Sequence, residues 1–391
     1  MTSGQTIYLD NAATTPLAPE VADQLAELYR CAWANPASQH HAGRLAQAAM
    51  EDAKDRIKAV CTGSAAHACL QAWQLIVTSG GTEANNLAIH GLSSNPASRI
   101  FVSAVEHPSV LAVATEDDQL RARAAVLPVD QLGQVNIDAL DSQLRGAGPS
   151  PLVSIMAANN ETGLLLDLQR ISQICRARGA VLHCDGVQAL GKISVADFVP
   201  WVDALTISAH KIHGPVGVGA LLVRSSLTLK PLLRGGGQQL GLRPGSESVP
   251  MITAMATAAE LAERERLSGT MRGVAALRDS FEADLLAAEL DAQVIGQAGV
   301  RLPHISFITF PGLDRQALLM ALDLAGVACS SGSACASGSS QSSHVLTAMS
   351  LPPLWVDGAV RFSLSRFSTA AEMGAALERI IAVVKKMRKR A

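Results

Sequence analysis

Between Leu75 and Val223 short apolar runs alternate with stretches of helical character, the runs ending at Ser79, Ser103, Met156, Asp185, Ser208 and Val223. That alternation predicts an α/β fold built on a mainly parallel, doubly wound sheet. Upstream, residues 7–10 read as an extended piece and residues 11–16 as a turn. A helix begins near Pro19 and breaks at Asn35-Pro36-Ala37-Ser38. A longer helix over residues 43–60 has Leu45, Ala49, Ile57 and Val60 as its expected apolar face. Downstream, residues 250–290 read as helix with a break at Ser268-Gly269, a bridge to a second domain. A strand over 305–310, a helix over 314–324 and a Ser/Gly/Ala-rich segment over 329–343 follow. The last helix opens on Thr369 with Glu372 three residues on, a capping box, and its basic end reads as a solvated last turn favoured by the helix dipole.

Composition narrows the function. A chain of 391 residues exceeds what one core accommodates, so two domains are expected. Hydrophobic residues make up 48% and aromatic residues only 3%, so Ala, Leu, Val and Ile must fill the core. A net charge of -2 and a pI near 6.6 give no footprint for nucleic acid or an anionic membrane, and a small-molecule substrate fits better. The start of the chain lacks signal-peptide regions and no apolar run reaches the length of a membrane span, so a cytoplasmic location is expected. Seven scattered cysteines form neither a disulfide framework nor a paired zinc motif; no metal is expected, and most read as small buried hydrophobes.

The candidate chemistry sits at the run ends. Ser208-Ala209-His210-Lys211 places a lysine after a buried strand, where desolvation favours a neutral, nucleophilic amine able to form a Schiff base with pyridoxal 5'-phosphate (PLP). Taken alone, it reads as a solvated loop lysine. Asp185 closes another run, where a carboxylate would pair with the pyridine nitrogen of PLP or simply cap a turn. Gly80-Gly81-Thr82 opens a helix and offers free N–H groups to a phosphate, though it matches neither Walker A nor the dinucleotide motif. Glu106-His107 adds a catalytic or ordinary loop histidine. In a doubly wound sheet all these ends meet in one crevice.

Together with Tyr8-Leu9-Asp10-Asn11, Asn159-Asn160-Glu161-Thr162-Gly163, Asp185-Gly186-Val187-Gln188, Ser330-Ser331-Gly332-Ser333-Ala334-Cys335 and Arg361-Phe362-Ser363-Leu364, in this order, these motifs resemble the NifS/IscS-type cysteine desulfurases of the class V aminotransferase superfamily. The resemblance spans nearly the whole chain. It implies PLP-dependent transferase fold type I, with a large PLP-binding domain over residues 16–250 and a smaller α/β domain from residues 1–15 and 251–391. It also implies a homodimer.

By position, Lys211 would carry PLP covalently, Asp185 would pair with its ring nitrogen, and His107 would stack on the ring and move protons. Gly81, Thr82, Ser208 and His210 would hold the phosphate with Ser246 of the partner subunit. Asn160 and Gln188 would contact the cofactor's phenolate side or the substrate, and Asn11, Asn160 and Arg361 would bind substrate, Arg361 as a fork on its carboxylate. L-cysteine would lose its sulfur to Cys335 as a persulfide, leaving L-alanine. A protein scaffold or carrier would then accept the sulfur for iron–sulfur cluster assembly or other products. If flexible, the Cys335 segment has an r.m.s. span of roughly 20 Å, enough to carry sulfur outward.

Three departures stand out. Gly186 replaces the family's usual alanine, which would loosen the cofactor's seat; residues 338–344 lack the common proline; and the chain stops at Ala391 without a longer scaffold-binding tail. A selenocysteine lyase or another class V PLP enzyme is the nearest alternative. A non-catalytic sulfur carrier or binding protein is the alternative of a different class, and intact Lys211, Asp185 and His107 argue against it.

Overall fold

Apolar runs become strands where their backbone groups find partners. The computed structural model describes residues 6–332 and 342–389. Among these, β1 (Ile7–Tyr8), β2 (Trp73–Thr78), β3 (Ile100–Ser103), β4 (Ala124–Leu127), β5 (Leu152–Ser154), β6 (Val181–Asp185), β7 (Ala204–Ser208), β8 (Gly219–Arg224), β9 (Gln293–Val294), β10 (Ile305–Thr309), β11 (Val327–Ala328) and β12 (Ala359–Ser363) follow in chain order. Seven form one sheet, ordered β2-β8-β7-β6-β5-β3-β4. The pairs from β4 to β7 are parallel, joined by crossovers that include helices Pro108–Glu116 and Leu168–Ala177. Strand β8 runs antiparallel to both neighbours, because the short connection from Ser208 to Gly219 holds no crossover helix and the chain must turn back. Strand β4, only partly buried at the sheet edge, was not anticipated from the apolar runs.

The carboxyl ends of β2, β3, β5, β6 and β7 therefore lie along one edge of this sheet, where the amino end of β8 also arrives. Its faces are covered by helices and a core that includes Phe101, Val153, Leu182, Leu205 and Leu222. Helix His41–Thr62 turns its inward face slightly from the one expected: Ile57 is buried and Ala49 and Val60 pack against the core as expected, with Ala46, Met50, Ala53 and Cys61 buried beside them, but Leu45 is 59% exposed. The cause is its packing along helix Val249–Ser268, which selects small residues at the contact.

That second helix follows the expected division at residue 250, yet Val249, Ile252, Met255 and Ala259 join the first core. The chain leaves it at Gly269, whose left-handed φ of 90° ends the helix, as the expected break required. Helices Thr270–Ala287, Arg315–Leu324 and Ala370–Arg388 then enclose a second core around Phe281, Phe310, Phe362 and Ile380. Its three strands, β12-β10-β9, are antiparallel. Ile7 and Leu9 pack into this core too, because β1 pairs in parallel with β11. The capping box at Thr369 and Glu372 forms.

Candidate active site

Lys211 ends a 3₁₀ turn, Ala209–Lys211, that leaves β7 directly. Its Nζ donates to the carbonyls of Ala12 and Ala13 at 2.7 and 2.6 Å, so the N-terminal turn closes over the strand ends. Thr15 ties that turn down: its hydroxyl donates to His210 O and accepts from His213 N, both at 2.8 Å. Gln188 Nε2 adds a bond to Ala12 O.

Asp185, at the end of β6, accepts from Val187 N through Oδ1 and from Asn85 Nδ2 through Oδ2, at 2.9 and 2.8 Å. Asn85 lies one turn into helix Gly81–Leu92, which starts just past β2. The same Nδ2 donates to Ser109 Oγ, which stands 2.8 Å from His107 Nδ1. His107 caps helix Pro108–Glu116, its Nδ1 accepting from Ser109 N. Burial lowers the His107 pKa, opposed by Asp185 and reinforced by Lys211 and His344. Burial, and then Lys211, bring His210 down to about 4. Both imidazoles are therefore favoured neutral at pH 7.

These groups meet in a cleft of about 320 Å³ lined by Lys211, Asp185, His107, Gly81, Thr82, Ser208, His210, Gln188, Asn160 and Arg361. Arg361 enters from β12, 1% exposed, with Nη1 donating to Asn160 O at 2.6 Å and Nη2 to Asp10 Oδ1 at 2.8 Å. Asn11 stands outside the lining, its amide donated to Ser363 O at 2.8 Å. Ser246 is exposed on the loop after β8. Cys335 lies outside the described residues, as do Ser333 and Ala334. Gly332, which lines the cleft, comes three residues before Cys335. A larger groove of about 840 Å³ runs beside Lys54 and Lys58 along β2, but none of the predicted site residues lines it.

Two local features depart from the sequence reading. Gly186 does not loosen the cleft: a Cβ there would meet Leu205 Cδ1 at 2.5 Å, so Leu205 already fills the space. Val187 is the residue that lines the cleft, and a Cβ on Gly81 would lie 2.9 Å from its Cγ2. Sequence reasoning also missed Asn85, Ser109 and Asp10. The available signal for Asn85 was a polar residue on the buried face formed by Ala84, Leu87 and Ala88.

The residues present fit PLP. Ser208 lines the cleft, yet its buried Oγ has no hydrogen-bond partner, an expensive arrangement that a phosphate oxygen would relieve. Beside it, the amino end of helix Gly81–Leu92 adds free N–H groups and the positive end of the helix dipole.

The family described as aminotransferase class-V matches residues 7–375. A cysteine desulfurase of Cereibacter sphaeroides is 40% identical over 391 aligned residues, covering 98% of this chain and 96% of the relative. One of Trichormus azollae is 39% identical over 384 residues, covering 98% and 94%. The crystal structure of a NifS-like protein from Rickettsia africae ESF-5 superposes with a TM-score of 0.88 at 30% identity, covering 97% of this chain and all of that one.

Proposed function

The chain belongs to the aminotransferase class-V family, and we propose that its cleft holds PLP and converts L-cysteine to L-alanine, leaving the sulfur on Cys335. The activity is that of a PLP-dependent cysteine desulfurase. The observation that carries the site assignment is the meeting of Lys211, Asp185, His107 and Arg361 in one small cleft.

Bound there, PLP supplies an electron sink for the substrate Cα. Asp185 would hold its ring nitrogen, Val187 and His107 its faces, and Ser208, His210, Gly81 and Thr82 its phosphate. Lys211, already turned toward the cleft, is the group that attaches it and later carries the Cα proton. Arg361 receives the substrate carboxylate, with Asn160 beside it. Cys335 follows three residues after Gly332, which lines the cleft. Its thiolate would attack the substrate sulfur, forming an S–S bond as the Cβ–S bond breaks. Protons delivered to the carbon fragment complete alanine. Cys329 is a poor substitute, because burial pushes its thiol up to about 12.

The same reading makes the enzyme a cytoplasmic homodimer in which Ser246 of the partner subunit completes the phosphate site. It divides the chain into a large domain over residues 16–250 and a small domain from residues 1–15 and 251–391. No helix among the described residues is long and apolar enough to cross a membrane. A protein scaffold or carrier would take the sulfur from Cys335.

Incubation with L-cysteine and a reductant tests the activity: alanine and sulfide should appear in equal amounts. Turnover of L-selenocysteine without L-cysteine would reassign the protein to the selenocysteine lyases, and no alanine from either substrate would reject the reading.

A further inference from the structure

We propose that Ser109 and Asn85 are positioning residues that hold the His107 ring with its proton on Nε2 and tie it to Asp185. The inference rests on the reading of this cleft as a PLP site and extends it to groups outside the expected set.

A backbone N–H can only donate, so the bond from Ser109 N at 3.1 Å requires His107 Nδ1 to be unprotonated. A neutral ring then carries its proton on Nε2. The Ser109 hydroxyl reinforces the choice. It accepts from Asn85 Nδ2 at 2.9 Å, which leaves its own proton for His107 Nδ1 at 2.8 Å.

Asn85 is oriented in turn by Asp185, since an ionised carboxylate only accepts and so turns the amide nitrogen toward itself. Both hydrogens of that nitrogen are used, one on Asp185 and one on Ser109. Three elements contribute: the end of β6, helix Gly81–Leu92 and helix Pro108–Glu116. Asn85 is 1% and Ser109 8% exposed, so water competes little for these bonds. The arrangement leaves Asn85 Oδ1 buried without a partner, a cost that an apolar residue would avoid. A single amide thus aligns the carboxylate for the cofactor nitrogen and, through one hydroxyl, the histidine beside it.

The functional consequence is that His107 offers the cleft a neutral Nε2–H donor. Cationic His107 would require a proton at Nδ1, which costs the bond from Ser109 N and forces the Ser109 hydroxyl to turn from donor to acceptor. Among the described residues, Asp185, Lys211 and His344 act electrostatically on the ring. Removing the Ser109 hydroxyl takes away a donor to the unprotonated nitrogen, which favours the cation and raises the pH at which the neutral ring is lost.

Histidine labelled with ¹⁵N provides the direct test, the His107 resonances being assigned by their loss in His107→Gln. In the wild-type enzyme at pH 7, Nε2 should carry the proton and Nδ1 should be bare. In Ser109→Ala the acid limb of kcat against pH should move up by about one unit, and Ser109→Thr should return it to the wild-type position. A proton on Nδ1 in the wild type, or an acid limb unmoved in Ser109→Ala, overturns the proposal. Failure of the PLP reading would be seen separately as absence of alanine formation by the wild-type enzyme, and the nitrogen spectrum remains readable in that case.

Discussion

Asp10 holds Arg361 from one side, its Oδ1 2.8 Å from Nη2, while the Asn160 carbonyl takes Nη1 and the buried Nε has no partner. The guanidinium is thus fixed by the N-terminal turn before any substrate arrives, a preorganisation that reduces the cost of binding. Lysine would keep the charge but not the planar fork. Arg361→Lys should lower kcat/KM for L-cysteine about 10–100-fold, the loss expected for one charged hydrogen bond of about 1.5–3 kcal/mol. Steady-state kinetics would show most of the loss in KM; an unchanged KM would separate Arg361 from the carboxylate.

Lys211→Ala should prevent covalent attachment of PLP and abolish activity with L-cysteine, because no other amine is proposed to attach the cofactor. Borohydride reduction followed by peptide mapping should find the label on Lys211 in the wild type. A label on another lysine would refute the assignment.

Cys335→Ser preserves approximate size and removes the thiolate, so the variant should still bind PLP and L-cysteine while its sulfide release falls at least about 100-fold. Mass spectrometry of the wild type after brief exposure to L-cysteine should place one reductant-sensitive sulfur on Cys335 and none on Cys329. Normal turnover by Cys335→Ser would eliminate the persulfide route.

The loop that bears Ser246 is stapled to the end of β2 and the start of helix Gly81–Leu92. Arg243 grips Glu83 through Nε–Oε1 at 2.8 Å and Nη2–Oε2 at 3.2 Å, and the Gln239 amide meets both Val77 N and Val77 O. The loop also exposes Leu240 at 81%. Ser246→Ala should weaken PLP binding about 3–10-fold, the value of a hydrogen bond of about 1 kcal/mol. Sedimentation should give a dimer, and a fully active monomer would contradict both expectations.

Glu106 supplies a pH test of stability. Burial pushes its carboxyl up to about 8 from 4.5, with bonds from Ser103 and Met156 opposing the rise and Asp185 adding to it. A raised carboxyl means that the folded state binds the proton more tightly than the unfolded chain. Its contribution is complete below pH 4.5 and declines as pH rises through 8, by roughly 1.4 kcal/mol per unit in that window. Glu106→Gln keeps an acceptor for Ser103 and Met156 without ionising. Urea denaturation at pH 5, 6.5 and 8 should show a flatter pH dependence than wild type; parallel curves would mean that Glu106 does not titrate there.

Much of the fold was legible because apolar runs and helix caps are local. The strand ends at Asp185 and Ser208, the helix break at Gly269 and the capping box at Thr369 all appear in the structure. Faces were harder to read. Leu45 seemed a core residue by spacing, yet the contact with helix Val249–Ser268 turned smaller residues inward. Gly186 seemed a missing methyl until Leu205, from the neighbouring strand, was found in that space.

The sequence by itself determined which chemical groups stand at strand ends, because a run's length, its closing residue and the motif that follows are properties of consecutive positions. Tertiary structure alone decided how those groups are wired. Asn85 reaches Asp185 across 100 positions and Ser109 across 24, and Asp10 reaches Arg361 across 351. Such bonds depend on sheet order and on the direction each helix leaves its strand, which no local pattern encodes. Parallel strands with their carboxyl ends on one edge bring Lys211, Asp185 and His107 together, and the return of the chain through β12 adds Arg361.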